Sequence, residues 1–368
     1  MRAQPKIALV TLLLLSLLLA ASGQKPNVSN AKVEELSAAQ GLKPAIDALF
    51  SRNTGPFWIG YKIPTAPKEG RICCWQSSSL ESRDGRNCCL GCRMDRDHDG
   101  NSMGTDSNCS PLEPKPYAFV LLRVEEKKIA KVRLFSAECP LDFVGMRLEW
   151  LNDVKPEESV AMLTAMAQES SDEEKGENRN QFASQIVMAI AFHNVPAADT
   201  ALEKLIQPNQ PEKLRSQVAF WAAIERGKAG LELLQKYVVN DKDDRFRREG
   251  TFALSQSKQP GAIETLIGMA RHDPSPRVRG QAIFWMAQIG GRKEAGQITA
   301  AIEDDPDTYV KKQAVFALSQ IHDGEGVPLL INVARTNKNP AVRKQAIFWL
   351  GQSRDPRALD FLEEILTK

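Results

Sequence analysis

Cysteine is the residue type in this sequence best suited to chemistry, and six of the seven cysteines fall within one short stretch. Six could form three disulfides and leave the last one over, although spacing does not determine which cysteines pair. Zinc is an alternative, with Cys89 and Cys92 completed by Cys109 and by Cys73 or Cys74. Redox chemistry would need a thioredoxin-like helix start, which the flanking sequence lacks. We favour structural disulfides among Cys73, Cys74, Cys88, Cys89, Cys92, Cys109 and Cys139.

An acidic, glycine-containing loop lies between these cysteines. Oxygen ligands at loop positions 1, 3, 5 and 12, with glycine at position 6, suit calcium, because carboxylates converge on one hard cation while the glycine makes the sharp turn. The loop resembles those of EF-hands and dockerins, but Ser102 stands where an aliphatic residue is usual, and no convincing helix flanks it. The alternative is a solvated loop between disulfides. The candidate calcium ligands are Asp95, Asp97, Asp99, Asn101 and Asp106.

The C-terminal half contains an internal repeat with a constant step of 32 residues. Within each copy, apolar residues at offsets 0, 4, 7, 8 and 11 form one face of a helix. A turn and a second amphipathic helix follow. One helix pair cannot bury its own apolar face, so the pairs are predicted to stack into an α-solenoid of six pairs. The copies begin at Phe182, Leu214, Phe246, Val278, Val310 and Val342.

The repeated segment resembles a known class. Val310–Leu318 follows the pattern V-[R/K]-x-x-A-x-x-A-L, a D-P turn precedes it at Asp305, and a P-L-L-type helix follows at Val327–Ala334. Residues 182–368 are in this respect similar to short bacterial HEAT repeats, also described as PBS-lyase-like repeats. The resemblance implies a binding role and places the first helix of each pair on the concave surface. The HEAT-like deoxyhypusine hydroxylases hold two irons with His-Glu pairs, and no histidine here is followed by glutamate.

A ladder of aromatic and amide side chains runs along one side of the predicted first helices. A phenylalanine recurs at offset 6 in five successive copies, glutamines recur at offsets 3 and 10, and tryptophan follows the phenylalanine in alternate copies. Such a ladder suits an extended peptide, because rings cover apolar side chains while amides bond the backbone. The alternative is packing of each ring between neighbouring helices. The candidate partner-binding residues are Phe220, Phe252, Phe284, Phe316, Phe348, Gln281, Gln288, Gln313, Gln320, Gln345 and Gln352.

Residues 1–23 are predicted to be a secretory signal peptide. Arg2 and Lys6 precede the apolar run Ile7–Ser22, and Ala21–Gly23 offers a small-residue cleavage site. The run is short for a membrane span, so no integral span is expected after cleavage; an uncleaved anchor is the alternative. We expect a periplasmic or secreted protein, a location that also favours disulfides.

The elements that position these residues divide the chain into three regions. A cysteine-bearing α+β region is predicted over 24–152, between the signal peptide of 1–23 and a HEAT-like α-solenoid over 153–368, so that the chain is mainly α. In the middle region Glu34–Ser51 has the pattern of one or two helices, and Phe57–Ile63 that of a strand. Tyr117–Val124 and Ile129–Phe135 are predicted to form a hairpin.

The composition and motifs favour a binding protein over an enzyme. Without Arg2 and Lys6 the chain has 46 basic and 46 acidic residues, so it has no overall field that would attract nucleic acid. Gly100–Gly104 matches G-x-S-x-G, but neither the strand nor the helix of a nucleophile elbow flanks it. We expect a non-enzymatic scaffold without cofactors that engages a protein or peptide partner in the cell envelope. The alternative is a calcium- or zinc-dependent sensor or enzyme in the cysteine region, with the solenoid as recruiting arm.

The calcium interpretation of Asp95–Asp106 can be tested by thermal melting. Calcium at millimolar concentration is expected to raise the Tm, because a ligand that binds only the folded state stabilises it by mass action. Asp97→Ala is expected to abolish the shift. A wild-type Tm that calcium leaves unchanged would instead support the solvated loop.

Overall fold

The computed structural model describes residues 25–66, 88–89, 92–95, 110–111, 115–172, 177–321 and 324–367. The N-terminal part of the described chain is an α+β region with a single helix, α1 (Leu42–Arg52). The strands are β1 (Asn27–Ser29), β2 (Lys32–Ser37), β3 (Phe57–Pro64), β4 (Cys88–Cys89), β5 (Cys92–Arg93), β6 (Ser110–Pro111), β7 (Tyr117–Glu125), β8 (Lys128–Ser136), β9 (Pro140–Asp142) and β10 (Arg147–Asn152).

A five-stranded mixed sheet organises this region, in the order β2-β10-β3-β7-β8. β10 is parallel to both of its neighbours, β2 and β3. β7 is antiparallel to both of its neighbours, β3 and β8. The predicted hairpin is confirmed: β7 and β8 are joined by Glu126 and Lys127, which both adopt left-handed backbone angles. Such angles are typical of the tight turns whose twist matches that of paired strands.

The two faces of the sheet belong to different cores. On one face Trp58, Phe119 and Trp150 pack in an aromatic cluster with Cys92 and Cys139. On the other face Ile59, Tyr61 and Val120 belong to a core that continues without a break into the C-terminal helices. The sheet and the helices are therefore held together by shared apolar burial.

The predicted helix Glu34–Ser51 is wrong over its first part. Lys32–Ser37 forms an edge strand that pairs in parallel with β10, and the helix begins only at Leu42. Gly41 adopts a positive φ of 118° between the two elements, a conformation that favours glycine. The pairing with a distant strand decides the structure here, overriding the helical pattern.

The C-terminal region confirms the predicted fold class. A leading helix, α2 (Pro156–Asp172), precedes six helix pairs that coincide with the six sequence copies. The pairs are α3 (Glu177–Phe192) with α4 (Pro196–Leu205), α5 (Glu212–Glu225) with α6 (Gly227–Tyr237), α7 (Asp244–Gln256) with α8 (Gly261–His272), α9 (Pro276–Gly290) with α10 (Ala295–Asp304), α11 (Thr308–Ser319) with α12 (Gly326–Thr336), and α13 (Pro340–Gln352) with α14 (Pro356–Thr367). A 3-10 helix, Gly291–Glu294, joins α9 to α10. Within the described ranges, no helix has the length and apolar character needed to cross a membrane.

Three of the first helices, α7, α11 and α13, begin at a residue whose side chain caps a free backbone amide. Asp243, Asp307 and Asn339 accept a hydrogen bond from the amide two residues later, at 2.7–2.9 Å. Such side-chain caps replace the intrahelical partners that the first amides lack. Pro276 and Pro340 lie in the first turn, where no amide is needed. The side-chain cap thus recurs at α7, α11 and α13, whereas α5 and α9 begin without one.

A ladder of buried ion pairs connects successive repeats, and we name it the arginine–aspartate ladder. Arg247 forms a two-pronged pair with Asp273 at 2.7 and 2.8 Å, and its third nitrogen donates to the carbonyl of Asp241 at 2.7 Å. Arg279 bonds Asp305 and the carbonyl of Asp273 in the same way. Hydrogen bonding to these carboxylates raises the pKa of both arginines. The rungs are Arg215–Asp241, Arg247–Asp273 and Arg279–Asp305.

The arginine–aspartate ladder is interrupted one repeat later. Lys311 stands at the arginine position and donates to the carbonyl of Glu303 at 2.6 Å. Asn337 stands at the aspartate position and donates to the Glu303 carboxylate at 3.2 Å. The fourth rung thus lacks the buried charge pair and provides an internal comparison for the other three.

Arg247→Met is expected to lower the free energy of unfolding by about 3–5 kcal/mol, because it leaves the Asp273 carboxylate buried without its counter-charge. Lys311→Met, at the equivalent position of the fourth rung, should cost about 1 kcal/mol or less. Urea unfolding followed by circular dichroism measures both. Equal losses in the two variants would contradict a structural role for the buried pairs.

A buried chain of hydrogen bonds joins β3 of the sheet to α2 and to the end of α3. The His193 Nδ1 lies 2.7 Å from the carbonyl of Ala189, which can only accept, so Nδ1 carries the proton. Nε2 therefore accepts from Ser159 Oγ at 3.0 Å, and Ser159 in turn accepts from the Tyr61 hydroxyl at 2.9 Å. Burial lowers the pKa of His193 to about 4, and the nearby Arg226 contributes to the same effect.

This lowered pKa predicts a loss of stability in acid. Between pH 6.5 and pH 4 the unfolded chain binds a proton at His193 and the folded chain does not, so stability falls through that window. The full effect is about 3 kcal/mol. His193→Gln should flatten the change of unfolding free energy with pH, whereas His272→Gln, at an exposed position, should follow the wild type. Parallel pH profiles for wild type and His193→Gln would disprove the assignment.

Candidate protein-binding surface

The first helices of the pairs form the inner layer of the solenoid. Consecutive members of the series α3, α5, α7, α9, α11 and α13 pack extensively against one another, whereas consecutive second helices make few contacts. A stack of pairs curves toward the layer that is more closely spaced. The predicted phenylalanine and glutamine residues all lie on these first helices.

The five phenylalanines lie at the boundary between packing and solvent. Phe220, Phe284 and Phe316 are partly buried, whereas Phe252 and Phe348 are 40% and 52% exposed. Phe220 stacks on Phe252 at a centroid distance of 5.6 Å, and Phe284 stacks on Phe316 at 5.8 Å. Four of the five rings thus stack on a ring of a neighbouring helix, and all five keep part of their surface accessible.

The recurring tryptophans connect these stacked pairs. Trp285 lies between Phe252, at 5.0 Å, and Phe284, at 4.9 Å, and Trp349 occupies the equivalent place between Phe316 and Phe348. The eight rings are in contact from one end of the series to the other. We name this series the aromatic row; its members in order are Trp221, Phe220, Phe252, Trp285, Phe284, Phe316, Trp349 and Phe348.

The indole N–H groups of the aromatic row differ in their partners. Trp221 Nε1 donates to Ser184 Oγ at 3.1 Å. The Nε1 atoms of Trp285 and Trp349 are buried and find no acceptor among the residues that the structure describes. A buried donor without an acceptor costs about 1–3 kcal/mol, so native proteins rarely keep one without a reason.

The glutamines beside the aromatic row fall into two groups. Gln320 donates its amide to Ser319 Oγ at 3.1 Å, as Gln256 does to Ser255. The amides of the other predicted glutamines form no hydrogen bond with any described residue. The second group is Gln281, Gln288, Gln313, Gln345 and Gln352.

The cations of this surface are not among the site residues predicted from the sequence. Arg248, Lys312 and Lys344 each precede a phenylalanine of the aromatic row by one helical turn, at the i, i+4 spacing that puts side chains on the same face. Arg277 is exposed in the first turn of α9. The four-residue spacing was visible in the sequence and would have identified three of them.

The predicted calcium loop is described only at its first residue. Asp95 is exposed and accepts two hydrogen bonds from Arg93, at 3.0 and 3.2 Å. Over the described ranges, no cluster of His, Cys, Asp and Glu side chains is arranged to hold a metal. The other candidate ligands, which lie outside the described ranges, are Asp97, Asp99, Asn101 and Asp106.

The cysteines are described in part. Cys92 is disulfide-bonded, and Cys139 is buried in the aromatic cluster of the sheet. Cys88 and Cys89 form β4, without described side chains, and Cys73, Cys74 and Cys109 lie outside the described residues. Disulfide formation by the other cysteines therefore stays a prediction.

Comparison with known proteins gives a class for the helical region. The sequence profile of HEAT repeats matches residues 198–287 and 297–368, a span from α4 to α14. No curated protein matches the chain significantly in sequence. With its six helix pairs, the C-terminal region is an α-solenoid of HEAT-like repeats.

Several solved structures resemble the chain. Human deoxyhypusine hydroxylase in complex with glycerol is 17% identical, with 56% of this chain and 90% of that chain covered and a TM-score of 0.28. The Escherichia coli protein YibA is 17% identical, with coverages of 59% and 82% and a TM-score of 0.32. Kap121p is 13% identical, with coverages of 58% and 25% and a TM-score of 0.31.

Proposed function

We propose that the protein is a non-enzymatic scaffold that binds an extended segment of a partner protein along its inner layer. The observation that carries the proposal is the aromatic row, whose phenylalanine rings are partly exposed over five successive repeats, beside five glutamine amides that have no partner among the described residues. A folded protein gains little by keeping such a strip accessible unless another molecule covers it.

The chemistry of the strip suits an extended peptide. An extended backbone presents alternating N–H and carbonyl groups, and a glutamine amide can bond either of them. The exposed parts of the rings can cover apolar side chains between these bonds. The signal-like segment 1–23 supports a location in the periplasm or outside the cell, with the partner in the envelope.

The proposal is tested with the two most exposed rings. Phe252→Ala and Phe348→Ala should each lower the free energy of unfolding by about 1 kcal/mol, because each loses ring contacts while leaving no enclosed cavity. Both should lose a partner that wild type captures from an envelope fraction, as quantified by mass spectrometry.

Leu359→Ala is the matched control, since Leu359 is 58% exposed on α14, a second helix. It should retain every partner captured by the wild type. A partner bound equally by wild type and by both phenylalanine variants would place the binding surface elsewhere. Melting temperatures far below that of wild type would show that the phenylalanines act as core.

A further inference from the structure

The aromatic row is bordered by cations that have no counter-charge among the described residues. Arg248, Lys312 and Lys344 form no ion pair with any described residue, and neither does the exposed Arg277. In α7 the recurring glutamine is replaced by Glu249. The carboxylate of Glu249 accepts a hydrogen bond from Ser216 at 2.6 Å and lies 3.6 Å from Arg245. The inner layer therefore presents positive charge although the chain as a whole is almost balanced.

The unsatisfied indoles lie beside two of these cations. Ser184 accepts a hydrogen bond from the indole N–H of Trp221. The residue equivalent to Ser184 is Arg248 for Trp285, two repeats later, and Lys312 for Trp349, four repeats later. Both replacements remove the acceptor and supply only donors. For Trp285 and Trp349 the equivalent of the serine acceptor is thus a cation, and their indole N–H groups have no acceptor among the described residues.

The orientation of the rings also favours a partner that presents oxygen atoms. Phe252 and Phe316 have an aromatic neighbour on both sides, so the faces of these rings are occupied. Ring edges carry partial positive charge and attract oxygen atoms. A nucleic-acid base would need an open ring face on which to stack, and Phe252 and Phe316 do not offer one.

We infer that the partner segment is acidic, with its carboxylate and carbonyl oxygens bound by Arg248, Lys312, Lys344 and the indole N–H groups of Trp285 and Trp349. The inference rests on the proposed function and specifies the chemistry of the partner. Apolar side chains of the segment would cover the rings between the charged contacts.

Peptides of matched length test the charge preference. The probes are fluorescein-labelled peptides of seven Glu-Pro-Leu repeats, with proline to keep them extended, and the same peptides with glutamine or lysine in place of glutamate. Fluorescence anisotropy should give an affinity for the glutamate peptide about tenfold above that for the glutamine peptide, with a loss at high salt. The lysine peptide should not bind.

Variants locate the binding to the inner layer. Arg248→Gln combined with Lys312→Gln should weaken binding of the glutamate peptide about tenfold. The matched control is Lys204→Gln combined with Lys293→Gln, which removes two exposed lysines from α4 and the 3-10 helix and should leave binding unchanged. Equal affinities in the two double variants would overturn the inference.

A second pair of variants isolates the indole N–H groups. Trp285→Phe keeps an aromatic ring and removes the donor, so it should weaken binding of the glutamate peptide. Trp221→Phe should not, because that N–H is already bonded to Ser184. Identical effects of the two substitutions would remove the indoles from the inferred site.

The outcomes separate this inference from the proposed function. Equal binding of the glutamate and glutamine peptides, with loss of both in Phe252→Ala, would overturn the acidic preference and leave the peptide-binding role standing. No binding of any peptide would overturn the inference, and the envelope capture would then decide the proposed function. Binding of an oligothymidylate in place of the peptides would overturn both.

Discussion

The arginine–aspartate ladder is the interaction on which the geometry of the solenoid depends. Each rung ties a first helix to the turn that begins the next first helix, and the two-pronged contact fixes the angle as well as the distance between them. A repeat protein has only contacts between neighbours, so an error in rotation at one repeat would be carried into every later one. The aromatic row follows the same repeat spacing, and it continues across the fourth junction, where Lys311 and Asn337 replace the buried pair.

The sheet region stabilises the N-terminal end of the helical array. A terminal repeat exposes the apolar surface that an internal repeat buries against its neighbour, and here the sheet covers it. The outer strand β8 is protected in return, since the amide of Val132 donates to the Gln185 side chain of α3 at 3.2 Å. Asn194 donates to the carbonyl of Pro64 at 2.9 Å and closes the same junction. The two regions thus share one apolar core and a hydrogen-bonded junction, although their sequence patterns have nothing in common.

The sequence was sufficient wherever structure is set by residues close in the chain. The six helix pairs follow from a period that each copy repeats, and the β7–β8 hairpin follows from two strands around a short turn. The sequence was insufficient where a distant partner decides. Lys32–Ser37 became a strand because β10 lies beside it, and His193 became a buried link because Tyr61 and Ser159 meet it. The aromatic row combines both cases: the phenylalanine period was visible, whereas ring contacts and unsatisfied indoles required coordinates.

Those ring contacts have a period of two repeats, twice the period of the helices. Phe220 stacks on Phe252 and Phe284 on Phe316, and a tryptophan connects one stacked pair with the next. Deleting or duplicating a single repeat would leave the helices in register yet bring together two repeats of the same kind, with two tryptophans or none at the junction. Only gain or loss of repeats in twos preserves the row. The smallest change in repeat number that keeps the aromatic row intact is therefore two repeats. Solenoids whose lengths differ by an even number of repeats can share the same row.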